Sequence, residues 1–295
     1  MNTSILLVGH GSRHTPGNDE IDRFSAKWKE MNPQWRIETC FIEFADVLLD
    51  DGLNNAAKDA DRVIVVPLIL NAAGHVKMEI PHHINEARQR HSKVEFIYAS
   101  HLGANDSILS ILKRSLLSVM KKLDMPDPKT TGVIILGRGS SDRVANGEIA
   151  KIARWLFDET DHENIDIAFT GITYPRLEAV VQKQVALGMT QIAILPYYLF
   201  TGTLIERINC QVTRLQQQYP QIAISHGQYF GFEPEIYELL NQRVNQASGD
   251  DADSKMMECD GCSYRQLAEE HGHGHSHDHS HSHDHDHDDK SGVAA

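Results

Sequence analysis

Two histidines and a glutamate in the first third of this chain stand just beyond apolar runs: His10 in SILLVGHGSR, Glu43 in FIEFAD and His75 in VVPLILNAAGHV. Imidazole and carboxylate are ligands for borderline divalent ions such as cobalt, nickel, iron and zinc. A site with so few protein donors leaves coordination positions open for exchange. Imidazole also titrates near neutrality, so the same groups can accept protons. Everything then depends on whether the fold brings residues 10, 43 and 75 together.

The surrounding pattern predicts that it does. Ser4 to Val8 read as a short buried strand, and Gly9 and Gly11 free the backbone for a sharp turn after it. Strand-like runs at 5–8, 37–42, 63–70 and 94–99 alternate with helix-like runs near 18–31, 50–59, 81–90 and 107–122. Such alternation predicts parallel strands joined by right-handed helical crossovers. Parallel strands end on one sheet edge, where open α/β sheets form ligand crevices.

The segment MPDPKTTG, with two prolines, reads as an interdomain connection, which gives a first domain over 1–124 and a linker over 125–131. The pattern then restarts over 132–247. GVIILGRGSSD parallels the first strand and its turn, and QIAILPYYLFTGTLIERI parallels RVIVVPLILNAAGHVKMEI, at offsets of 128–129 residues. The expected fold is therefore two tandem flavodoxin-like α/β domains, each a parallel sheet flanked by helices. Overlaying the copies sets Arg138 opposite His10, Leu204 opposite His75 and Thr173 opposite Glu43. Scaffold residues repeat and ligand residues do not, so the reactive centre belongs to the first half.

Composition removes other classes. Net charge is −13, and 12 acids against 3 bases fall from Asp250 onward, leaving −4 for residues 1–249. No basic face offers itself to nucleic acid, and no apolar run reaches the roughly 20 residues a membrane span needs. Ile5–Val8 is too short for a signal-peptide core, which points to the cytoplasm. GHGSR fails as a dinucleotide fingerprint because His14 stands where the third glycine is required. It fails as a phosphatase motif because Arg13 follows the histidine, and no P-loop is present.

Residues 248–295 change character. Cys259 and Cys262 form a C-x-x-C, and nine histidines alternate with Asp, Ser and Gly between His271 and His287. Between His271 and His287 there is no apolar residue to bury, so the tail reads as disordered, storing or delivering metal or, alternatively, merely solubilising the chain.

Together VGHGSR, FIEFAD, VVPLILNAAGHVKMEIP and LGRGSSD resemble the CbiX/SirB family of sirohydrochlorin chelatases, over residues 1 to about 245. Met257, Cys259 and Cys262 with the histidine-rich tail resemble the long cobaltochelatase form of CbiX. The resemblance implies ATP-independent insertion of Co²⁺ into sirohydrochlorin during cobalamin synthesis, with Fe²⁺ or Ni²⁺ as alternative metals. Fe²⁺ would place the chain in sirohaem synthesis, and a non-enzymatic metallochaperone is the rival of another class.

On this resemblance His10 is a metal ligand and proton acceptor, His75 the second metal ligand and Glu43 their acidic partner. Leu70, Asn71, Ala72, Ala73 and Gly74 line the tetrapyrrole pocket, and Arg13, Lys77 and Arg138 are candidates for the substrate's eight carboxylates. An iron–sulfur centre is also implied. Cys259 and Cys262 supply half the thiolates of a usual cluster, so ligands are shared between the chains of a homodimer or come from elsewhere. His82 and His83, after Pro81 at a helix start, read as a solvent-facing pair, with outer-shell ligation as the alternative.

Overall fold

A computed structural model describes residues 2–123 and 127–249. The C-x-x-C cysteines, Cys259 and Cys262, and the histidine-rich stretch lie outside the described residues.

The chain forms two four-stranded parallel sheets of matching topology. The first half runs β1 (Thr3–Gly9), α1 (Thr15–Met31), β2 (Arg36–Phe41), α2 (Leu49–Ala57), β3 (Arg62–Pro67), a π-helical turn (His75–Glu79) continuous with α3 (Ile80–Arg90), β4 (Glu95–Tyr98) and α4 (Asp106–Met120). The second runs β5 (Thr131–Gly137), α5 (Arg143–Asp158), β6 (Ile165–Phe169), α6 (Leu177–Ala186), β7 (Gln191–Pro196), α7 (Thr203–Gln218), β8 (Ala223–His226) and α8 (Pro234–Ser248). Strand orders are β2-β1-β3-β4 and β6-β5-β7-β8. In each sheet the order reverses beside the first strand, the position where ligands bind in open α/β sheets.

The central strands are apolar on both faces because helices cover both: Ile5 to Val8 and Val63 to Val66 are buried, as are Val133 to Leu136 and Ile192 to Leu195. The halves exchange helices. α4 follows β4 yet packs on β7, α8 follows β8 yet packs on β3, and the two helices pack on each other. Their apolar faces, with Ile108, Leu112, Tyr237 and Leu240, join the inner faces of both sheets in one core.

Polar contacts fix the junction. Trp28 Nε1 donates to Asn241 at 2.8 Å, and Arg243 donates to the carbonyls of His101 (2.9 Å) and Leu102 (2.8 Å). The buried Glu20 accepts from the Thr201 amide (2.8 Å) and the Tyr229 hydroxyl (2.6 Å).

Two element ends differ from the sequence pattern in ways that matter. The third strand leaves its ladder at Pro67, not Leu70, so residues 68–74 form a loop over the sheet edge. The following helix begins at His75, ahead of Pro81, because a π turn precedes it, closed by donation from the Ile80 amide to the His75 carbonyl.

Candidate active site

His10 is the first residue after β1, and the β1 and β2 backbones stay bonded past the sheet. Ile42 donates to the Gly9 carbonyl (3.0 Å) and Glu43 to the His10 carbonyl (3.1 Å), which carries Glu43 alongside His10. Only glycine permits this approach at position 11. Its φ is +84°, and a Cβ there would lie 1.7 Å from the Glu43 carbonyl oxygen. His75 arrives from the other side, as the first residue of the π turn after the β3 loop. Single π turns of this kind recur at functional sites.

The three side chains meet. The rings of His10 and His75 stand edge to face with centroids 4.7 Å apart. A Glu43 carboxylate oxygen lies 3.6 Å from His10 Nδ1. Donor atoms from all three lie within 4.8 Å of one another. Ligands about 2.1 Å from a metal are at most about 4.2 Å apart across it, so small side-chain motions close this cluster on an ion. Each side chain remains about a third exposed, which leaves the far side of such an ion open.

The hydrogen bonds assign the ring nitrogens. His10 Nδ1 donates to the Gly11 carbonyl at 2.9 Å, which leaves Nε2 as the lone-pair nitrogen, buried and without a protein partner. His75 Nδ1 pairs with Glu79 Oε2 at 2.5 Å, turning its Nε2 outward. A carboxylate behind a metal-binding imidazole fixes its tautomer and raises its basicity.

The two imidazoles are tuned in opposite directions. Burial lowers the pKa of His10 below the usual value, with the His75 and Arg138 charges acting the same way against Gly11 and Glu43. The Glu79 hydrogen bond raises that of His75 against its partial burial. Near neutrality His10 therefore offers a free lone pair, whereas His75 holds its proton to higher pH.

The cluster opens on a cleft of about 450 Å³ lined by both halves, including Leu70, Asn71, Ala73, Arg138, Ile172 and Tyr198. Two residues of the 70–74 segment do not face it. Ala72 is buried in the core behind the sheet edge, and Gly74 is exposed at the head of the π turn. Asn71 Oδ1 is buried without a protein partner.

The cations also sort differently than the sequence suggested. Lys77 is buried and donates to Asp142 at 2.6 Å, an ion pair between the halves, so it is committed to structure rather than to a ligand. Arg13 stacks on Phe44, with its guanidinium 4.8 Å from the ring centroid. Arg176 stacks on Tyr174 at 4.6 Å in the matching loop of the second half. Phe44, Val47, Ile172 and Tyr174 are exposed on the loops after β2 and β6, and of these Ile172 lines the cleft.

The overlay needs one correction. Gly171 donates to the Arg138 carbonyl (3.0 Å) as Glu43 does to that of His10, so Gly171, and not Thr173, is the counterpart of Glu43. Phe44 and Ile172 share φ of 61° one residue later, which fixes the register. Glu79 and Asp142 belong to no motif that marks them. The spacing HVKME carried a signal for the first, since residues i and i+4 meet on a helix.

Fold and site define a two-lobed α/β protein in which His10, Glu43 and His75 of one lobe, a trio able to hold a metal ion, face a shared cleft. The CbiX family model matches residues 4–119 and 132–247, and the chain belongs to that family. A sirohydrochlorin cobaltochelatase of Priestia megaterium is 38% identical over 269 residues, 91% of this chain and 86% of that protein. A sirohydrochlorin ferrochelatase of the same organism is 26% identical over 242 residues, 82% and 89% of the two chains. The solved structure of SirB from Bacillus subtilis with Fe³⁺ superimposes with a TM-score of 0.75 at 27% identity, covering 87% of this chain and 100% of that one. Among the described residues no helix is long and apolar enough to cross a membrane.

Proposed function

We propose that this chain is a sirohydrochlorin cobaltochelatase, inserting Co²⁺ into the macrocycle without nucleotide hydrolysis. The observation that carries the reading is the convergence of His10, Glu43 and His75, with donor atoms within 4.8 Å, at the mouth of a two-lobed cleft in a CbiX-family chain. The greater identity to the cobaltochelatase than to the ferrochelatase supports cobalt over iron as the substrate metal.

Insertion exchanges one M²⁺ for two pyrrole protons, so the site must hold a metal loosely and accept protons at the same place. His10 Nε2 and His75 Nε2 hold the incoming ion from one side. As the ring nitrogens replace the protein ligands, the protons pass to His10 and to the Glu43 carboxylate beside it. The macrocycle lies in the cleft, its faces against Leu70, Phe44 and Ile172 and its carboxylates toward Arg13, Arg138 and Arg176. The work is done in the cytoplasm. Cys259 and Cys262 hold an iron–sulfur centre shared within a homodimer, for which the support is the family resemblance of the MxCxxC segment. Visible absorbance of anaerobically purified protein, lost on C259S/C262S substitution, checks that part.

The reading is tested by mixing sirohydrochlorin anaerobically with catalytic amounts of the full chain and equal Co²⁺ and Fe²⁺, and following the absorbance of each product. Faster formation of the cobalt product is expected. Acceleration of iron insertion alone transfers the chain to sirohaem synthesis, and acceleration of neither favours a metallochaperone.

A further inference from the structure

A second cluster of metal-capable side chains lies on the outer face of the first half, where α2 packs on α3. Asp50 in the first turn of α2 faces His83 and Glu86 of α3, and donor atoms of the three lie within 4.8 Å of one another. His83 Nδ1 is 3.1 Å from Asp50 Oδ1 and 4.0 Å from Glu86 Oε2. These separations are close to the edge and the diagonal, about 3.0 and about 4.2 Å, of a shell of ligands about 2.1 Å from a metal. That nitrogen is buried and lies against the Asp50 carboxylate, a pairing that a shared metal ion would replace. His82 Nε2 lies 3.5 Å from Glu86 Oε1 and adds a fourth donor within reach. The pair is thus not simply solvent-facing: His83 is turned against α2.

One cation already occupies part of this cluster. Arg90 Nη2 donates to the same Asp50 oxygen at 2.9 Å, and Nη1 is 3.9 Å from Glu86. A divalent ion held by His83, Asp50 and Glu86 displaces that guanidinium, exchanging one positive group for another. The cluster also follows the first one along the chain. His75 and Glu79 lie on the π turn, and His83 and Glu86 on the α-helix continuous with it.

We propose that Asp50, His83 and Glu86 form a second site for a borderline divalent ion such as Co²⁺, Ni²⁺ or Zn²⁺, separate from the centre at His10 and His75. The test is crystallographic, because histidines of the tail confound metal counting in solution. Crystals of the full chain soaked in Co²⁺ are measured at the cobalt absorption edge. An anomalous peak is expected between Asp50, His83 and Glu86. His83→Ala removes it while leaving a peak at His10 and His75, which also shows that the variant is folded. Arg90→Gln half-fills the outer site at a lower Co²⁺ concentration than the parent. A peak at the inner centre with none at the outer cluster overturns the proposal, as does an outer peak that survives His83→Ala.

Discussion

At equivalent strand ends the first half carries His10, Glu43 and His75, and the second carries Arg138, Gly171 and Leu204. The backbone beneath them is the same. Gly11 and Gly139 have φ of +84° and +86° and each turns under the carbonyl of the adjoining strand loop. Asn18 and Asn146 donate to the carbonyls of Ser12 and Ser140 at 2.7 and 2.8 Å, pinning both turns alike. The loop geometry is therefore a property of the fold, and the metal-capable donors are three side chains on one copy. The other copy contributes a cation and an apolar wall to the same cleft.

Severing the two halves should have the largest effect. Lys77 and Asp142 are buried partners across the junction, and breaking such a pair leaves an uncompensated buried charge. Lys77→Met is expected to cost about 3–5 kcal/mol in a urea titration, and adding Asp142→Leu to recover most of it. An unchanged midpoint in the single variant would mean that the pair does not hold the halves.

Chemistry separates the copies next. Glu43→Ala should lower kcat/KM for Co²⁺ insertion by about 10²-fold, the lower range for losing a positioned proton acceptor. Gly171→Ala, where an added Cβ meets nothing closer than 3.8 Å, should leave it nearly unchanged. Equal losses in both would erase the asymmetry.

Behind the ligands, Glu79→Gln should weaken metal capture by about 10-fold. It should also shift the pH profile. Capture requires neutral His75, so kcat/KM falls as pH drops through the raised pKa of that group. Removing Glu79 takes away the contact that raises it, and the acidic limb moves to lower pH. A limb that stays in place would assign Glu79 a structural role only. The smallest effect is expected at the loops after β2 and β6: Phe44→Ala or Tyr174→Ala should raise KM for sirohydrochlorin by a few-fold with kcat retained, each ring losing one stacking contact.

Much of this was legible from spacing. Period and apolar runs foretold two parallel sheets, and the placement of His10, Glu43 and His75 after successive strands foretold their meeting, since parallel strands share one open edge. What escaped depends on contacts between distant segments. The burial of Lys77 follows from Asp142 lying opposite it in the other half, 65 residues away. The inward turn of Ala72 and the outward one of Gly74 follow from the π turn, which no repeat announces. The pairing of Glu43 with Gly171 is set by backbone bonds past the strand ends, where the two sequences no longer match.

The most direct measurement compares two mirror-image variants in anaerobic Co²⁺ insertion into sirohydrochlorin. His10→Ala/His75→Ala strips the first half of its imidazoles, and Arg138→Ala/Leu204→Ala strips the same positions of the second. Insertion should fall to the uncatalysed rate in the first and stay within about tenfold of the parent in the second, the scale of a lost surface cation and apolar contact. Insertion at the parent rate by the His10→Ala/His75→Ala protein would contradict this expectation.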